Sequence, residues 1–164
     1  MSAAAATSTA GGTGSVMAAW AVAFAPNWLV RQRATPATMA RVMKELRATL
    51  IRFALAYRRR VLGAQGIAMF RALVPEVPRF RPLARSMYAA GAGQTVRRLA
   101  AYLQKAMDAG QLRRDDPELA AELLMGMLVG QDRIKRLFGV ANGKAGDAQR
   151  AERIVDCFLR AYRK

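Results

Sequence analysis

Two adjacent carboxylates, Asp115 and Asp116, are the first side chains here whose type and spacing could do chemistry. Such a pair can hold a divalent cation or share a proton. Its neighbours argue for a structural role. Pro117 follows directly, and then the apolar run Leu119-Ala120-Ala121-Glu122-Leu123-Leu124. Asp before Pro before such a run marks a helix start, where a carboxylate accepts from open backbone N–H groups and sits at the positive end of the helix dipole. Both acids are therefore read as caps. The sequence has no histidine, which excludes imidazole acid/base work and Ser-His triads. Its one cysteine, Cys157, excludes an intrachain disulfide and leaves a Cys/His zinc site without ligands. Cys157 lies in the apolar helical context Ile154-Val155-Asp156-Cys157-Phe158-Leu159 and is expected to be buried and inert. Gly11-Gly12-Thr13-Gly14 and Gly91-Ala92-Gly93 lack the lysine and the preceding strand of a phosphate loop. No catalytic residue, metal site or cofactor is expected, and the chain is not read as an enzyme.

Charge points instead to binding. The 164 residues carry 27 Lys and Arg against 11 Asp and Glu, a net +16. Residues 31–62 hold nine of the basic groups and one acid, half of the excess, whereas residues 110–130 are net negative. A balance of this kind favours anionic partners. Arg31, Arg33, Arg41, Arg47, Arg58, Arg59 and Arg60 are the candidate anion or nucleic-acid contacts. No aromatic interleaving or base-reading motif accompanies them, so any such binding would be non-specific and would weaken steeply with salt.

The elements that must position these residues read as helices. Residues 1–35 form an uncharged leader up to Arg31, low in complexity over its first 15 residues and expected to be disordered or partly helical. Within it Val16–Ala25 is an apolar stretch of ten ending in Ala23-Phe24-Ala25, but no Lys or Arg precedes it as a secretory signal requires. No run is long enough to span a bilayer, and a cytoplasmic location is expected. Thr35-Pro36 reads as a helix start. Met39, Met43, Leu46, Leu50, Phe53 and Tyr57 then recur at spacings of 4, 3, 4, 3 and 4, a seam for a neighbouring helix, with Arg58–Arg60 and most other basic groups largely off it. A second helix is expected from about Ala64 to Val74, broken by Pro75, Pro78 and Pro82. A third starts near Arg81, with Gly91 and Gly93 interrupting it. A fourth, from Gln94, buries Val96, Leu99, Leu103, Ala106 and Met107 and stops at Gly110. The fifth follows Asp116, and the last spans about Asp147 to Tyr162. With no strong period-2 segment, the chain is expected to be all-α, a bundle of about six helices, with residues 36–164 as one domain.

One stretch resembles a known family. Glu76, Pro78, Arg79 and Phe80, followed by Leu83, Ala84, Arg85, Met87, Tyr88 and Gly91, resemble a turn and helix of the C-terminal domain of TetR-type transcriptional regulators, in particular the AefR-like group. The run from Arg97 to Gly130 and the terminal Val155-Asp156-Cys157-Phe158-Leu159-Arg160-Ala161-Tyr162 continue the likeness, which covers roughly residues 40–164. Arg81-Pro82 stands where that group usually has proline directly after the phenylalanine, and Met87 where an aromatic is common. The resemblance implies an effector-sensing and dimerisation domain whose last two helices pair with those of a second subunit. Leu119, Ala120, Leu123, Leu124, Met127, Leu128, Ile154, Val155, Phe158, Leu159 and Tyr162 are the interface candidates. It also implies a small apolar effector held by the middle helices, with Phe53, Tyr57, Met69, Phe70, Leu73, Met87, Tyr88 and Leu103 as pocket candidates and Arg79 and Arg85 as contacts for an anionic one.

The resemblance stops short of DNA reading. Before Met39 there is no capped pair of helices that reads as a helix-turn-helix, and we expect that this head has been lost or that the frame is truncated or shifted at its 5′ end. The leading expectation is a TetR-type regulator represented by its sensing and dimerisation domain. The alternatives are a headless partner of full-length relatives, non-specific nucleic-acid binding through residues 31–60 and, more weakly, a membrane-surface role for residues 16–33.

Overall fold

The computed structural model describes residues 39–140 and 146–163. The leader of residues 1–35, the Thr35-Pro36 helix start, Arg31 and Arg33 lie outside the described residues. Within them the chain is all helical, as expected: α1 (Met39–Leu62), α2 (Ala64–Leu73), a 3₁₀ turn (Val74–Glu76), α3 (Arg81–Ala90), α4 (Ala92–Asp108), α5 (Pro117–Leu137) and α6 (Asp147–Ala161). None of these helices is long and apolar enough to cross a membrane.

Helix α1 runs for 24 residues with no internal glycine or proline. Leu46, Leu50, Ala54, Arg58 and Leu62, each four residues apart, lie buried along it with Phe53 beside them. This stripe overlaps the expected seam only in part and takes in an arginine. Gly63 serves two helices: its N–H donates to the Arg59 carbonyl at 3.1 Å, and its own carbonyl accepts from Ile67 at 3.0 Å. Helix α2 then folds tightly back. A Cβ on Gly66 would lie 2.3 Å from the Arg60 carbonyl oxygen and 2.6 Å from that of Val61. Proline chemistry breaks the chain where expected. Pro75 sits in the 3₁₀ turn and Pro82 in the first turn of α3, positions that need no donated N–H.

The helix stops follow the same local rules. Gly110, at φ 72°, lets the Gln111 N–H turn back to the Ala106 carbonyl at 2.9 Å after α4. Asp116 caps α5, its carboxylate accepting from Glu118 N at 2.8 Å and Leu119 N at 3.3 Å, and Asp115 accepts from Asp116 N and from Arg113. The acid pair is thus occupied by backbone and arginine donors. Helix α4 lies along α5, and α1 packs on both α5 and α6. Leu99, Leu103, Leu124, Leu128, Val155 and Phe158 fill the space between them. By contrast α3 packs on α4 without burying a single side chain fully. The chain is therefore a well-filled α1–α4–α5–α6 core with α2 and α3 laid against its side, and that uneven filling leaves a cavity.

Candidate functional site

The cavity lies between the C-terminal end of α1, α2, the Val74–Val77 turn, α3, Ala92 at the start of α4 and one residue of α5, and has a volume of about 1010 Å³. That is at the upper end of ligand pockets in proteins. Tyr57, Arg60 and Val61 come from α1, while α2 supplies Gln65, Gly66, Met69, Phe70 and Leu73. Val74 and Val77 close the turn, Arg81, Ala84, Arg85, Met87 and Tyr88 come from α3, and Arg133 from α5. Of the eight expected pocket residues, the structure brings six together here: Tyr57, Met69, Phe70, Leu73, Met87 and Tyr88. Phe53 and Leu103 are instead fully buried in the core. Sequence hydrophobicity does not separate a side chain that fills a core from one that walls a cavity.

The cavity's polar groups are arginines, one glutamine and two phenols. Tyr57 stacks on Phe53 with ring centroids 5.5 Å apart. Burial pushes its hydroxyl above the ordinary tyrosine value, opposed by the Arg133 charge. The Arg133 guanidinium lies 5.1 Å from the centre of the Phe70 ring, a cation–π distance. Arg133, Arg81 and Gln65 were not among the sequence candidates, and the apolar periodicity of their helices gives no signal for them. Arg85 lines the cavity, whereas Arg79 does not: it pairs with Glu76 at 3.9 Å beside the Phe80 ring.

Of the expected anion contacts among the described residues, three are paired with the chain's own acids. Arg41 pairs with Glu45 along α1 at 3.3 Å. Arg47 makes a two-bond clamp to Asp156 of α6, at 2.6 and 2.9 Å. That clamp holds the Asp156 carboxyl below its usual range and raises the guanidinium. Arg58 was expected off the seam as an anion contact; it is 2% exposed. Its guanidinium donates to Asp132 at 2.8 Å, to Asp147 and to the Leu128 carbonyl, tying α1 to α5 and to the first turn of α6. Burial opposes the charge, but the two carboxylates outweigh it and raise Arg58 above the ordinary arginine value. Arg59 stays exposed and Arg60 lines the cavity.

The interface candidates divide into two sets. Ala120, Leu124, Leu128, Val155, Phe158, Leu159 and Tyr162 are buried in this chain's own core and offer no surface to a second copy. Ile154 is half-buried. Leu119, Leu123 and Met127 remain 47%, 47% and 41% exposed on one face of α5, continued by Ile134. Gly126 and Gly130 lie on that face with open space above them. Cys157 is exposed rather than buried. The inward stripe of α6 is Ala151, Val155, Phe158 and Tyr162. Two residues past Val155 is about 200° around a helix, which turns the thiol outward.

Comparison with known proteins places this geometry. Residues 48–164 match the family described as AefR-like transcriptional repressor, C-terminal domain. Among solved structures, the Flavonoid-responsive Regulator FrrA is similar at 27% identity and a TM-score of 0.70, over 91% of this chain and 72% of that one. A protein of Mesorhizobium loti MAFF303099 assigned to the TetR-family transcriptional regulators shares the fold, at 21% identity and a TM-score of 0.65 over 92% of this chain and 69% of that one. No curated protein matches. With α1 through α6 accounted for almost entirely within the matched span, the chain belongs to the TetR-type transcriptional regulators and carries the C-terminal domain of the AefR-like repressors.

Proposed function

We propose that this domain senses a small, mostly apolar effector in the cavity between α1, α2, α3 and α5, and that it works as a homodimer. The observation that supports sensing most directly is the cavity itself, about 1010 Å³ in volume and walled by Met69, Phe70, Leu73, Met87 and both valines of the turn. A pocket this size leaves apolar wall, Phe70, Val74 and Val77 among it, facing water, and an apolar ligand would take that surface out of water. The similar regulator FrrA is described as flavonoid-responsive, which makes flavonoids the first compounds to try. Binding one shape of the domain better than another would shift its population between regulatory states. The test is a thermal-shift and calorimetric titration with a flavonoid panel on the whole chain and on Met69→Trp, which places a bulky ring in the cavity wall. Ligand that raises the wild-type melting temperature but not that of the variant supports the reading. Equal shifts in both sink it.

The dimer face is proposed to be the exposed stripe of α5, Leu119, Leu123, Met127 and Ile134, with Ile154 of α6 alongside. Four large aliphatic side chains aligned on one helix form the kind of patch that monomers rarely leave to water. Gly126 and Gly130, with nothing above them, let a second helix approach closely. Light scattering after gel filtration is expected to give twice the chain mass. Met127→Glu, at a position 41% exposed, should give a folded monomer. A variant that stays dimeric with unchanged melting moves the interface elsewhere.

A further inference from the structure

Resting on the effector reading above, we infer that the cavity selects an anionic amphiphile: an apolar body carrying a carboxylate. Four of the side chains that wall it are arginines, Arg60, Arg81, Arg85 and Arg133, and none is an aspartate or glutamate. Arg81 and Arg85 make no ion pair among the described residues, although they follow closely on Glu76, which is taken by Arg79. Arg133 is half-buried and meets the face of Phe70 rather than a carboxylate. Its own neighbour Asp132 points the other way, to Arg58 and Arg150 at 2.8 and 2.9 Å. The protein thus spends its nearest acid elsewhere and leaves Arg133, with Arg81 and Arg85 at the rim, beside an apolar space.

A half-buried guanidinium over an apolar wall, as Arg133 is, gains most from a carboxylate, which accepts two parallel N–H bonds, and the exposed Arg81 and Arg85 add positive charge at the rim. Arg133, held over Phe70 at the α5 wall, is the fixed contact, and Arg81 and Arg85 of α3 close on the same group from a helix that buries nothing fully. The uncharged lining from Met69, Leu73, Val74 and Met87 takes the body of the ligand. Fatty acids and aromatic acids share this chemistry. A neutral ligand of the same body would cover the half-buried Arg133 without offering it a counter-charge and bind less tightly.

The test uses 11-(dansylamino)undecanoic acid and its methyl ester, which share one body and differ in charge. Dansyl emission is titrated with the whole chain, with Arg133→Gln and with the double variant Arg81→Gln/Arg85→Gln, whose two positions are exposed and cost the fold little. Wild type is expected to bind the acid about 10-fold more tightly than the ester, with added salt narrowing the gap. Either variant should cut that preference to about 3-fold or less while holding the affinity for the ester, and Arg133→Lys should restore part of it. Acid and ester bound equally by wild type overturn the inference and leave the effector reading standing. Acid preference unchanged in both variants also overturns it. Neither probe binding at all overturns the inference, and a flavonoid panel that shifts wild type and Met69→Trp equally overturns the effector reading with it.

Discussion

Replacing Asp132 and Asp147 together with asparagine should destabilise the protein more than removing Arg58 itself. Arg58 is 2% exposed, whereas its partners are partly in water, Asp132 at 18% and Asp147 at 36%. In the double variant the guanidinium stays charged and buried but faces neutral amides. Stripping a buried ion of its counter-charges costs about 3–5 kcal/mol. Asparagine still accepts hydrogen bonds, which places the expected loss near the lower end, about 3 kcal/mol. Arg58→Met takes away the cation and leaves two acids that already touch water, one of them still paired with Arg150 at 2.9 Å. The expected loss there is about 1–2 kcal/mol, the cost of unmade hydrogen bonds at partly exposed groups. Urea unfolding followed by circular dichroism at 222 nm reads both, run at several protein concentrations so that subunit dissociation is separated from unfolding. A double variant that loses less stability than Arg58→Met would refute the reasoning, because the burial of Arg58 would then not be what the acids offset.

Three further outcomes are expected. Gly66→Ala drives a methyl group to 2.3 Å from the Arg60 carbonyl oxygen; pushing α2 off α1 should cost about 1–3 kcal/mol in melting experiments and change the cavity's ligand affinity with it. Asp116→Ala removes the oxygen that caps Glu118 and Leu119 and should cost about 1 kcal/mol in urea titrations, with Asp116→Asn close to wild type. Asp156 has a carboxyl held low by Arg47. A depressed carboxylate contributes stability above its unfolded value of about 4 and loses it as pH falls through the lower folded value. Asp156→Asn should therefore flatten the acid limb of the stability–pH curve below about pH 4 and leave the neutral region little changed, since both side chains are more than a third exposed.

Local rules were readable in the sequence because they act over a turn or less. Asp116-Pro117, Gly110 and the prolines after Leu73 set helix ends from within four residues, and the α4 stripe of Val96, Leu99, Leu103, Ala106 and Met107 faces inward as its period requires. What was hidden depends on contacts distant in sequence. Arg58 reads as one of three consecutive arginines on a basic helix until Asp132 and Asp147, 74 and 89 residues away, are brought to it. Phe53 and Tyr57 are both apolar positions of one seam, yet the first fills the core and the second turns to the cavity. Leu124 and Leu123 are adjacent leucines of one helix. The first is buried by α1 and α4 and the second is left bare, a difference set by where the neighbouring helices lie.

Tyr57 and Arg58 are consecutive, and so are Asp132 and Arg133. In each pair one member faces the cavity and the other enters the buried ion cluster that reaches Asp147 at the start of α6. A helix backbone is stiff over so short a span, so a turn of α1 or α5 about its axis carries both members of a pair with it. A ligand that turned either helix would therefore strain the contacts of Arg58 with Asp132 and Asp147, the latter in the first turn of α6. The wall of the cavity and the anchor of α6 are thus two sides of the same short stretches of chain.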